Sequence, residues 1–319
     1  MVAHTQKNPS ALASRRRSGS DGFTVRSAGV TSREVIDRHR GAGQSFEAHG
    51  VRSFVREEGV GETVVCIHGV PTSSFLYRKV LTELARRGLR GVAFDLPGLG
   101  LAGRPQDFDY TWTGLGRFCA AAVDALDLAR FHLVVHDIGG PVGFELASAM
   151  PDRVMTLTVL NTIVRVDEFK RPWAMEPFAR RGVGDLYLRT LTKPVFRMLM
   201  RLQGVQDMSV VTAGELDAYV DLLRMGDCGR AFLTIMRGFE RTPQKAQLYE
   251  GVLADGRYPV QIVWGSRDPA LKIAVHGEQA RAAAGLTQIH TVAAKHLLQE
   301  DQAPAIARHV GELASRAGA

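Results

Sequence analysis

The stretch Phe131-His132-Leu133-Val134-Val135-His136-Asp137-Ile138-Gly139-Gly140 constrains the fold more than any other in the chain. A short apolar run, a tight glycine turn and the apolar segment from Val142 to Ala147 read as strand, elbow and helix. Such an elbow pushes one reactive side chain out of the backbone, and the residue at its apex is Asp137. An aspartate nucleophile attacks carbon and forms an alkyl ester, which water must then hydrolyse. That chemistry opens carbon–halogen or epoxide C–O bonds, whereas esterases and lipases carry serine at the apex.

The remaining strands repeat the pattern. Thr63–Ile67 ends in His68-Gly69, and Gly91–Phe94 ends in the turn-rich Asp95-Leu96-Pro97-Gly98-Leu99-Gly100. Met155–Leu160 and Val260–Trp264 supply two more. Amphipathic stretches, Phe75–Arg87 and Leu115–Leu126, lie between them. Strands alternating with helices predict an α/β fold with a mostly parallel sheet flanked by helices. Ligands bind at the carboxyl ends of such strands, and His68, Asp95, Asp137 and Asp268 all stand just after predicted strands.

Four segments in this order resemble the α/β-hydrolase superfamily, and within it the haloalkane dehalogenases and epoxide hydrolases. They are His68-Gly69-Val70-Pro71-Thr72-Ser73-Ser74-Phe75-Leu76-Tyr77-Arg78, His136 to Gly140, Gly265-Ser266-Arg267-Asp268 and Lys295-His296-Leu297-Leu298-Gln299-Glu300. The resemblance implies the α/β-hydrolase fold, with a core of residues 46–161 and 244–316 and an inserted helical cap of residues 162–243. It also implies roles. Asp137 is the nucleophile, His296 the base that activates water, and Asp268 the acid that orients the imidazole. The backbone amides of Val70 and Ile138 form the oxyanion hole. Asp167 is a second candidate acid, and Asp268, which precedes Pro269, also fits a helix cap. His68 reads as structural and His136 as packing beside the elbow.

Two features divide the possible substrates. Dehalogenases of this branch usually carry Trp after the nucleophile and Asn or Glu after His-Gly; here those positions are Ile138 and Val70, whose side chains donate no hydrogen bond to a leaving halide. Epoxide hydrolases use cap tyrosines as proton donors, and this cap offers Tyr187 and Tyr219. The cap also holds six of the nine methionines, a composition suited to core filling and to an adaptable apolar pocket.

The net charge of +7 is misleading until it is located. Residues 1–45 carry +5 of it, which leaves +2 for the other 274 residues. Residues 1–45 read as a disordered basic tail, rich in Ser, Arg and Gly. The body gives no reason to expect a nucleic-acid partner or a membrane, and the Arg triplet at 15–17 lacks the apolar segment of an export signal, so the expected location is cytoplasmic. Three scattered cysteines and no Cys/His spacing predict neither disulfides nor a metal, and no cofactor motif occurs. The expectation is a cofactor-free hydrolase, monomer or small homo-oligomer, acting with water on a small apolar substrate. The alternative is a protein that keeps the fold and pocket for ligand binding or a biosynthetic step without hydrolysis.

Overall fold

The computed structural model describes residues 29–318. The chain begins with α1 (Ser32–Gly41), β1 (Gly43–Ala48), β2 (Val51–Glu58), β3 (Glu62–Ile67), α2 (Arg78–Ala85), β4 (Leu89–Phe94) and α3 (Trp112–Ala125). The elbow region follows: β5 (Phe131–Asp137), α4 (Gly139–Ala149) and β6 (Val154–Thr162). A helical insertion then holds α5 (Val183–Thr190), α6 (Lys193–Leu199), α7 (Ala213–Arg224) and α8 (Arg230–Arg237). The chain returns through α9 (Pro243–Ala254), β7 (Val260–Gly265), α10 (Glu278–Ala283), β8 (His290–Val292), α11 (Leu298–Asp301) and α12 (Ala303–Ala317).

The eight strands form one sheet in the order β1-β2-β4-β3-β5-β6-β7-β8. Strands β1, β2 and β4 pair antiparallel and all other pairs are parallel. Helices cover both faces of the parallel part, which is why its strands are apolar at consecutive positions. Val64 and Cys66 of β3 join one core with Leu81 and Ile306, while Val65 and Ile67 join the other with Phe118 and Phe144. From β3 the chain crosses outward to β4 and then returns to the opposite side as β5. Ligands bind at such a switch point between strand ends, and the elbow stands at this one.

The reading of residues 1–45 as a disordered tail needs correction from Thr31 onward; residues 1–28 lie outside those described. Thr31 and Glu34 form a reciprocal capping box that starts α1. Val35, Ile36 and His39 are buried, and the His39 ring packs against Phe54 and Phe75 at centroid distances of 5.0 and 5.2 Å. Helix α1 lies against α7 of the insertion, and Lys193 bridges Ser32 (3.1 Å) and Asp221 (2.7 Å). Average composition over 45 residues hid one short amphipathic helix and an edge strand. Val35→Asp should therefore destabilise the fold by about 2 kcal/mol, because an unpaired carboxylate enters this contact; thermal melting reads the loss as a drop of a few degrees.

Candidate active site

Strand β5 ends at Asp137, whose φ of +55° lies in the left-handed region that few residues other than glycine adopt. The β5–β6 register breaks between His136 and Asp137, so the side chain leaves the sheet and enters the space above its rim. Two glycines allow this. A Cβ on Gly139 would stand 2.5 Å from the Ile67 carbonyl oxygen, and one on Gly140 would collide with Thr162. Thr162 Oγ1 in turn donates to the Asp137 carbonyl. The Asp137 carboxylate then divides its two oxygens. Oδ2 accepts the Ile138 amide at 2.7 Å, and Oδ1 lies 3.6 Å from His296 Nε2.

His296 follows β8 in a loop, and its Nδ1 bonds Asp268 Oδ2 at 2.8 Å. Asp268 is buried, and its two oxygens face different partners. Its Oδ1 accepts the amides of Ala270 (2.8 Å) and Leu271 (3.0 Å) as a turn cap, while Oδ2 faces the imidazole. Asn161, at the end of β6, donates to the same Oδ2 at 2.6 Å and accepts the Gly265 amide at 2.8 Å, which fixes the acid to two strands. Burial disfavours the imidazolium of His296, but the flanking carboxylates of Asp268 and Asp137 outweigh it and raise its pKa to about 10. Burial likewise opposes the Asp268 charge, and His296 and the donated hydrogen bonds reverse that, holding the carboxyl below its usual range. Asp167, the other candidate acid, sits beside Arg165 at 3.7 Å, and it is Asp268 that bonds the imidazole.

The backbone of His296 is held from two sides. Its amide bonds the Gln203 carbonyl at 3.2 Å, and the next amide, Leu297, bonds Gly204 at 2.8 Å. Both acceptors belong to a single π-type turn of the insertion, Met200–Gly204. The His296 carbonyl accepts His136 Nε2–H at 2.8 Å from the core side. Burial pushes the His136 pKa down to about 3, so this ring is a neutral brace. His68 is a brace too: its Nε2 accepts the Leu96 amide (3.0 Å), so Nδ1–H donates to Gly69 (2.9 Å). Asp95 accepts the amides of Ser74 and Leu101.

Residues 62–303 match the family described by the α/β-hydrolase fold. A haloalkane dehalogenase of Mesorhizobium japonicum is 33% identical over 279 residues, which span 81% of this chain and 86% of that protein. The chain belongs to the α/β-hydrolases, in their haloalkane dehalogenase-like branch. Solved structures show the same fold. A haloalkane dehalogenase of Bradyrhizobium elkani superposes with a TM-score of 0.71 at 23% identity, covering 86% of this chain and 98% of that one. An epoxide hydrolase superposes with a TM-score of 0.68 at 20% identity, covering 86% and 98% respectively.

In this α/β-hydrolase, Asp137 and His296 open onto a cavity of about 790 Å³, its mouth included. Val70 and Ile138 line it at the base, and Met175, Met200 and Met236 bring three of the six cap methionines to its wall. Neither cap tyrosine lines it. Tyr219 is buried with its hydroxyl on Glu300 Oε1 at 2.5 Å, and Tyr187 packs on Phe178 at 4.8 Å. The polar side chains in the wall, besides Asp137 and His296, are Thr72, Arg171 and Gln203. Sequence reasoning missed Arg171, Gln203 and Asn161. Asn161 stands one residue beyond the predicted strand, Arg171 lies in a loop and Gln203 in a single helical turn, neither with a periodic signal. Among the described residues no group of three His, Cys, Asp or Glu is arranged to hold a metal, and no helix is long and apolar enough to cross a membrane.

Proposed function

We propose that this hydrolase cleaves carbon–halogen bonds of small apolar substrates through an ester on Asp137. The observation that carries the reading is the division of the Asp137 carboxylate. Oδ2 is already bound by the Ile138 amide, so Oδ1 is the oxygen free to attack. Oδ1 displaces the halide from an sp³ carbon, the C–halogen bond breaks, and Oδ2 becomes the ester carbonyl oxygen. The Ile138 amide then stabilises the charge that develops on that oxygen when water attacks the carboxyl carbon. Val70, lining the same cavity, offers the second amide.

His296 enters at the second step. In the free enzyme it is an imidazolium between two carboxylates. Esterification removes the charge on Asp137, and with it part of what keeps the imidazole protonated; burial then favours the neutral base. The imidazolium proton leaves to solvent with the halide. Neutral His296 takes a proton from water, hydroxide attacks the ester carbon, and the alcohol leaves with that proton. The acid proton left on Asp137 passes to His296, restoring carboxylate and imidazolium. A departing halide needs no proton donor, whereas an opening epoxide does, and no cap tyrosine faces the cavity, which favours halide over epoxide as the leaving chemistry.

The test is to separate the two steps. His296→Gln should still form the ester and fail to hydrolyse it, so a bromoalkane should leave its alkyl mass on Asp137, with bromide released in stoichiometric amount. An epoxide that labels the variant by its whole mass, when bromoalkanes leave none, would reverse the choice. A variant unlabelled by both, while the unaltered enzyme turns them over, would remove the aspartyl ester altogether.

A further inference from the structure

The cavity wall contains a cation that the hydrolytic cycle does not use. Arg171 lies in the loop after β6 with its side chain only 6% exposed. Its guanidinium stacks on Phe239, 4.6 Å from the ring centroid, and Nη2 donates to the Met236 carbonyl at 2.9 Å. Nη1 reaches Glu176 only at 3.6 Å, and Nε is buried with no hydrogen-bond partner among the described residues. Glu176 is half-exposed and is shared with Arg180 at 3.9 Å, while Arg241 adds like charge nearby. Burying a guanidinium with an unmade bond is costly unless something else satisfies it. Evolution of a purely apolar pocket gives no reason to place one there, since Leu or Met fills such a wall without that cost.

We infer that Arg171 is the anion-receiving residue of the cavity, binding a small monoanion: either a carboxylate carried by the substrate or the halide it releases. A guanidinium suits both, because its planar fork meets a carboxylate with two donors and a spherical anion with one or two. It also supplies what Val70 and Ile138 withhold. The catalytic trio does not substitute for it. Asp137, Asp268 and protonated His296 together carry one negative charge, which repels an entering anion. As a substrate or product subsite this rests on the hydrolase reading; as an anion site it does not.

The test therefore reads binding rather than turnover. Sodium bromide and sodium butanoate are titrated separately into the intact, resting enzyme by calorimetry at constant ionic strength. At least one should bind with a millimolar or tighter Kd, and the one that binds more tightly identifies the source of the anion. Arg171→Met should weaken it about tenfold or more, and Arg171→Lys by less. Glu176→Gln should tighten it a few-fold, a gain that damage to the fold does not produce. If neither anion binds, or if Arg171→Met folds and binds as the unaltered enzyme does, the assignment is wrong. Should Arg171→Met fail to fold, unchanged affinity in both Glu176→Gln and Arg171→Lys overturns it equally.

Discussion

Asp268→Asn should lower turnover by about 10⁴-fold while leaving the elbow in place. The asparagine keeps an oxygen for the Ala270 and Leu271 amides, so the turn survives. It presents an amide N–H to His296 Nδ1, however, and the imidazole must then carry its proton on Nε2, where it cannot accept one from water. The ester on Asp137 should accumulate in this variant as it does in His296→Gln. The loss also changes the pH dependence of stability. A histidine raised from 6.5 to about 10 contributes stability that is fully present below 6.5 and lost as pH rises through 10. In Asp268→Asn that alkaline decline should shrink, because the largest cause favouring the imidazolium is gone. Urea titrations between pH 6 and 10 compare the two slopes; equal slopes would show that Asp268 does not set the charge of His296.

The second large effect lies four residues beyond His296. Glu300 is fully buried and accepts from Arg78 (2.6 and 2.8 Å), Lys79 (2.8 Å) and the Tyr219 hydroxyl (2.5 Å). Arg78 also pairs with Glu215 of α7 at 2.8 Å, so this one cluster ties the core to the cap. Glu300→Ala leaves the buried Arg78 with Glu215 as its one carboxylate, takes the carboxylate from Lys79 and strands the Tyr219 hydroxyl, and should destabilise the fold by about 3 kcal/mol, measured by denaturant titration. Burial alone would raise the Glu300 pKa, but Arg78 and Lys79 hold it below its ordinary 4.5. Its contribution is therefore present above pH 4.5 and lost as pH falls below that, giving the unaltered enzyme an acid-side loss of stability that the variant lacks. Tyr219→Phe removes one hydrogen bond and should cost about 1 kcal/mol while folded enzyme retains its turnover, since this phenol does not reach the cavity.

The central sheet was legible because strands buried on both faces must be apolar at successive positions, as Val64–Ile67 and Leu133–Val135 are. The elbow was legible because close packing admits little but glycine at 139 and 140. The convergence of Asp137, Asp268 and His296 followed from three loops at one rim, together with family resemblance. Strands β1 and β2 escaped notice because an edge pair buries only part of its side chains, so its apolar residues are sparse. The Glu300 cluster escaped for a different reason. Arg78 and Glu300 are 222 positions apart, and a charged residue in a sequence carries no mark of whether water or a partner will surround it.

The turn Met200–Gly204 has a consequence for how substrates come and go. It belongs to the cap. On the core side His136 bonds the His296 carbonyl and the Arg267 amide bonds the Ala294 carbonyl, yet it is this turn that accepts the amides of His296 and Leu297. Any outward swing of this part of the cap must break those two bonds or drag the imidazole off Asp268. Were this turn to move outward as a substrate enters, His296 would lose its place beside Asp268 until the two bonds formed again.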